Sequence, residues 1–183
     1  IKPGKKISKK MIAIIGGAAA VVIIALVLIL TLGGSGVRKM DDITDKMVAA
    51  YEDDDWKAVY DLYYDKYLDA MKDEYGYTEK ELKDEFKDSF EDDMDDLKDD
   101  LGDIKKITVT NVDKDTYSKS DVKDANESFK DGYDVDLKID KMVDVRIEVE
   151  VEGEDDDMDD GIIKYTAVKA GSRWYIVDHE NLY

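Results

Sequence analysis

The chain has 183 residues, enough for one domain of ordinary size and a short anchor. It carries a formal charge of −19 and has no cysteine. The charge repels nucleic-acid phosphates and anionic lipid heads, and the lack of thiols excludes disulfides, zinc–thiolate sites and thiol catalysis within the chain.

The acid is unevenly spread. The first ten residues hold Lys2, Lys5, Lys6, Lys9 and Lys10 and no acid. Met11 to Leu32 then reads MIAIIGGAAAVVIIALVLILTL, 22 residues without a charge. At 1.5 Å per residue this run is long enough to cross a hydrocarbon core, and a helix is the form that satisfies its own backbone there. A cleavable signal peptide is the competing reading, but its apolar region is usually shorter. The preceding lysines resist translocation, so the spacing predicts a cytoplasmic N-terminus and an extracytoplasmic domain. Gly16 with Ala20, and Ala13 with Gly17, are small-residue pairs through which two copies could approach as a homodimer. The expected organisation is a basic tail over 1–10, a transmembrane helix over 11–32, a Gly/Ser linker over 33–37 and an outer domain over 38–183.

In the outer domain Met40, Ile43, Met47, Ala50 and Tyr51 recur at helical spacing. Asp53-Asp54-Asp55 interrupts them and offers an N-cap. Trp56, Val59, Tyr60, Tyr63, Tyr67 and Met71 predict one second helix ending near Gly76. Thr78-Glu79-Lys80-Glu81 fits a capping box, and Leu82, Phe86, Phe90, Met94, Leu97 and Leu101 form one stripe before Gly102 stops the third helix.

The period then changes to two. Ile107 and Val109 alternate with Thr108 and Thr110, which predicts a strand; a short helix follows over Ser120 to Asp131. Val143, Val145, Ile147, Val149 and Val151 alternate with Asp144, Arg146, Glu148, Glu150 and Glu152, the pattern of a sheet with one buried and one wet face. An acidic loop over Gly153 to Gly161 leads to a strand over Ile162 to Lys169, and the last strand spans Trp174 to Val177. The expected class is α+β, three helices packed on a curved, mainly antiparallel sheet.

Two stretches carry a resemblance. Ala50 to Leu62, with its acidic turn, Trp56 and a following helix, resembles the opening of nuclear transport factor 2-like (cystatin-like cone) domains. Val168 to Asp178, a lysine-bearing strand, a Gly turn and a Trp-Tyr strand, resembles their last hairpin. The chain looks most like versions that follow an N-terminal transmembrane helix in Gram-positive bacterial envelope proteins. The resemblance implies the cone fold, and no catalytic residue carries over from it.

Candidate chemistry is sparse. His179 is the only histidine, and without a second histidine or a cysteine it builds no zinc site. No phosphate loop or nucleophile elbow appears, so no cofactor is expected. Enzymatic relatives of the cone fold place an Asp or His with a Tyr inside the cone, where Tyr60, Tyr63, Tyr67, Tyr133 and Tyr165 could line a pocket. Tyrosines at helical spacing are more often amphipathic core residues. Asp155, Asp157 and Asp159 are weak metal candidates, because an EF-hand register starting at Asp155 puts Asp160 and Thr166 where Gly and Glu belong. The leading expectation is a membrane-anchored extracytoplasmic binding module without catalytic activity, its partner an unidentified protein, peptide or small molecule and not nucleic acid. The rivals are a cone-fold isomerase or dehydratase and a divalent-cation-responsive surface protein.

Overall fold

The computed structural model describes residues 36–180, so the apolar run Met11–Leu32 and its small-residue pairs lie outside the described residues. Among the described residues no helix is long and apolar enough to cross a membrane. The chain order is α1 (Asp41–Glu52), α2 (Trp56–Tyr60), α3 (Asp65–Tyr75), α4 (Glu79–Leu101), β1 (Lys106–Thr116), α5 (Lys119–Tyr133), β2 (Ile139–Glu152), β3 (Asp157–Ala170) and β4 (Arg173–Glu180). Among the described residues the fold is α+β: five helices pack on one antiparallel sheet in the order β1-β2-β3-β4.

The helix starts follow their caps. Asp55 accepts from the Ala58 N–H at 3.1 Å and opens α2. Thr78 and Glu81 close the expected capping box of α4, and Ser118 with Asp121 builds a second one at α5. Gly76, in the left-handed region at φ +69°, ends α3. The acidic surface of α4 is laced by i,i+4 pairs, Lys80–Asp84, Lys83–Glu79 and Lys87–Glu91, which as exposed pairs give the helix only slight support.

The single second helix expected from Trp56 onward is instead two. Between them Leu62 and Tyr64 leave the helix to bond β4: the Ile176 N–H donates to the Leu62 carbonyl at 2.9 Å, and the Tyr64 N–H donates to the Ile176 carbonyl at 3.0 Å. A tertiary pairing therefore overrides the helical period. The start of the domain is tied down as well. Val37 exchanges two backbone bonds with Trp174, and Arg173 donates to the Gly36 carbonyl at 3.0 Å. Gly36 and Val37, expected as the end of a loose linker, thus belong to the folded body.

In β2 the side chains of Val143, Val145, Ile147, Val149 and Val151 are all buried, while Asp144 and Glu150 are exposed. Ile147 lies opposite Val112 on β1 and Ile163 on β3. Asn126 fixes α5 to this sheet: its side chain accepts from the Ile139 N–H and donates to the Ile139 carbonyl, both at 2.9 Å.

Two expectations at strand ends are corrected. β1 runs on to Thr116, because a bulge between Val109 and Asn111 shifts the alternation that the sequence seemed to end there. The acidic segment is mostly strand: Asp157 pairs with Glu152, and the turn shrinks to the residues just before it. That turn is docked on α4, the Asp155 N–H donating to the Leu101 carbonyl at 2.9 Å.

Candidate functional site

Opposed residues of an antiparallel ladder share a face, so the register sorts the side chains into two sets. Lys114, Val145, Tyr165 and His179 form one row across the four strands. This row faces the helices, as shown by Tyr165, whose hydroxyl meets the Thr44 hydroxyl of α1 at 2.8 Å, and by Lys114, which pairs with Asp41 at 2.5 Å.

The expected pocket tyrosines gather only in part. Tyr63 lies against Tyr67 and Phe86, at ring-centroid distances of 6.4 and 5.5 Å, and Phe86 meets Tyr60 at 5.3 Å. Tyr67 continues to Phe129 and Phe129 to Tyr133, at 5.8 and 5.3 Å. These spacings are those of packed aromatic pairs. Through Phe86 and Phe129, Tyr60, Tyr63, Tyr67 and Tyr133 thus form a chain of rings, buried at Tyr60, Tyr63 and Tyr67 and half-buried at Phe86, Phe129 and Tyr133, and Tyr165 stands apart with Thr44.

His179 closes that chain. Its Nδ1 lies 2.5 Å from the Tyr63 hydroxyl, and its ring is 5.9 Å from those of Tyr63 and Phe86. Burial pushes the imidazole down to about 4, and burial pushes the Tyr63 hydroxyl well above its usual range. Both groups are therefore neutral near pH 7. The direction of the bond follows the tautomer: Tyr63 donates when the ring proton is on Nε2 and accepts when it is on Nδ1.

The opposite row is polar. Asp115, Asp144, Thr166 and Asp178 face one another across the four strands, and Asp113, Arg146 and Lys164 form the next row along. These side chains border a trough of about 340 Å³ on the open face of the sheet. Asp144 is fixed at its centre. The Thr166 hydroxyl donates to Oδ1 at 2.8 Å and the Tyr117 hydroxyl donates to Oδ2 at 2.7 Å. Thr166 is only 7% exposed although it lies on this open face, so it forms the floor. Burial and then the bond to Asp144 raise the Tyr117 hydroxyl, which keeps it a donor. Arg146 is engaged by Glu148.

Asp155, Asp157 and Asp159 are not drawn to a common point. Asp155 lies in the docked turn against Gly102, Asp157 opens β3 opposite Glu152, and Asp159 is exposed on β3. Among the described residues no group of three or more His, Asp or Glu is arranged to hold a metal ion. The trough residues Asp115, Tyr117, Thr166 and Asp178 escaped sequence reasoning. Their one signal was the wet-face alternation of β2, which reads as solubility until the register places neighbours beside it. Comparison with protein families, with curated proteins and with solved structures finds no match to this chain.

Proposed function

We propose that the chain is a membrane-anchored, extracytoplasmic binding module of the nuclear transport factor 2-like kind, without catalytic activity. The observation that carries this reading is the packed aromatic interior. Tyr60, Tyr63 and Tyr67, the tyrosines that could have lined a pocket, are buried and pack with Phe86 and Phe129. The polar concavity described here lies on the other side of the sheet, at the surface. Surface troughs with fixed polar groups suit recognition; chemistry needs a dry, enclosed site. The anchor is the uncharged run Met11–Leu32, and the lysines before it support the outward orientation of the domain.

One observation favours the rival isomerase or dehydratase reading, the Tyr63–His179 contact. Against it, an imidazole held near 4 is a weak base at neutral pH, and its rings of contact leave it among side chains that would have to part for a substrate.

Because the chain has no cysteine, single thiols report location cleanly. In intact cells a membrane-impermeant maleimide labels Asp115→Cys and leaves Lys2→Cys untouched until lysis. Labelling of Lys2→Cys alone contradicts the orientation.

A further inference from the structure

We propose that the end of the domain nearest the anchor lies on the headgroup layer of the bilayer and binds the phosphates of anionic lipids, an inference that rests on the membrane-anchored reading above. Leu32 closes the apolar run, and Gly36 already belongs to the folded body. The four residues between them span at most about 14 Å, so the point of attachment stands close to the membrane surface. That point is fixed in the fold. The Gly36 N–H donates to the Asp61 carbonyl at 3.4 Å, its carbonyl accepts from Arg173 at 3.0 Å, and Val37 is bridged to Trp174.

Charge is distributed unequally along the sheet. β3 runs from the acidic turn at one end to the Gly171–Ser172 turn at the other, a distance of about 40 Å at about 3.3 Å per residue. At the first end, Glu150 to Asp160 holds no base. The end of α4, with Asp99 and Asp100, is docked there through the bond from the Asp155 N–H to the Leu101 carbonyl. Toward the second end, Gly161 to Val177 holds no acid, and neither does Gly33 to Met40. The Val37–Trp174 bridge joins these two acid-free segments. The anchor therefore meets the domain at its positive end.

The register at this end points to an anion. Lys141 and Lys169 stand directly opposite each other on β2 and β3, and like charges so placed destabilise a sheet until a counter-charge joins them. Trp174 continues this row on β4 and Tyr175 follows it, both half-buried. Such rings, apolar in body and polar at one tip, settle at the headgroup level of a bilayer. Arg38 and Lys39 are exposed and follow Val37 directly. The nearby acids are engaged: Asp140 accepts from the Gly171 N–H at 3.1 Å, Asp61 pairs with Lys57 at 3.0 Å and Asp136 with Lys138 at 3.6 Å.

The net charge of −19 repels anionic heads only within the reach of screening. Screening acts over about 8 Å, and the acidic end of β3 lies about 40 Å away, so the local lysines and arginines decide the contact. A bilayer, unlike a soluble anion, is held at this end by a covalent link, which raises its effective concentration there.

The test uses the full chain in nanodiscs whose lipids carry a paramagnetic headgroup label, with amide relaxation as the readout. Co-elution of chain and disc reports the anchor separately. In discs of phosphatidylglycerol with phosphatidylcholine, relaxation is strongest at Lys39, Lys141 and Ser172 and absent at Asp157 and Asp159. Inserting about ten Gly/Ser residues after Ser35 loosens the tether. The pattern then persists in the anionic discs and vanishes in discs of phosphatidylcholine alone. In that lengthened chain Lys39→Gln, Lys141→Gln and Lys169→Gln together lower the relaxation more than about 3-fold. A control of equal charge change at the acidic end, Lys98→Gln, Lys105→Gln and Lys106→Gln, lowers it less than about 1.5-fold. Equal loss in the two triple variants, or equal relaxation in the two lipid compositions, would overturn the proposal. Inorganic phosphate that shifts the same amides in neutral discs would show a site for soluble anions and overturn the lipid surface. Each of these results leaves the anchored module standing. A chain that fails to co-elute with the discs overturns the anchored reading and the proposal with it.

Discussion

At the residue scale, His179 shows how packing decides chemistry. The ordinary imidazole titrates near 6.5; this one is pushed down to about 4 by burial among Tyr63 and Phe86. The unfolded chain binds the proton at higher pH than the folded chain. The neutral ring's contribution is therefore fully present above about pH 6.5 and is lost as pH falls toward 4. The loss amounts to about 3 kcal/mol by pH 4. Urea unfolding from pH 7 to 4 should show the wild-type stability falling relative to His179→Gln across that window; parallel curves would contradict the burial. Ile147 and Glu148 make the same point for register. Ile147 is fully buried, and Glu148 sits on the open face with Arg146. Ile147→Asp buries an unpaired charge and should abolish cooperative unfolding, whereas Glu148→Lys should keep it. Equal damage from both would refute the pairing.

At the element scale, what the sequence disclosed was whatever depends on neighbours in the chain. The capping box at Thr78, the stop at Gly102 and the alternation through Val143–Val151 are local patterns, and the structure has all three. What it hid depends on distant partners. The α2–α3 break answers to Ile176, more than a hundred residues away. The second half of β1 is rich in Asp, Asn and Lys, poor strand formers that are held by β2. The row Asp115–Asp144–Thr166–Asp178 exists only once four strands are in register, so no spacing along the chain announces it. The acidic turn likewise looked free and is docked. A Cβ on Gly153 would lie 2.2 Å from the Leu101 carbonyl oxygen and 2.4 Å from that of Asp156. Both obstacles are backbone and cannot swing aside. Gly153→Ala should lower stability by about 2–3 kcal/mol in denaturant unfolding; a loss under about 0.5 kcal/mol would show that the turn is not held against α4.

For the whole molecule, the two faces of one sheet differ in character. Aromatic rings pack against one another on the helix-covered side; the open face carries the polar and charged row fixed by Tyr117 and Thr166. The strong negative charge favours cationic partners over acidic ones. The most direct test of this difference is an amide-shift map of the full chain in nanodiscs, titrated with a set of small organic fragments. Close packing of the rings predicts that Tyr60, Tyr67 and Phe129 stay unmoved. Shifts centred on Tyr60, Tyr67 and Phe129, with the open face silent, would contradict it.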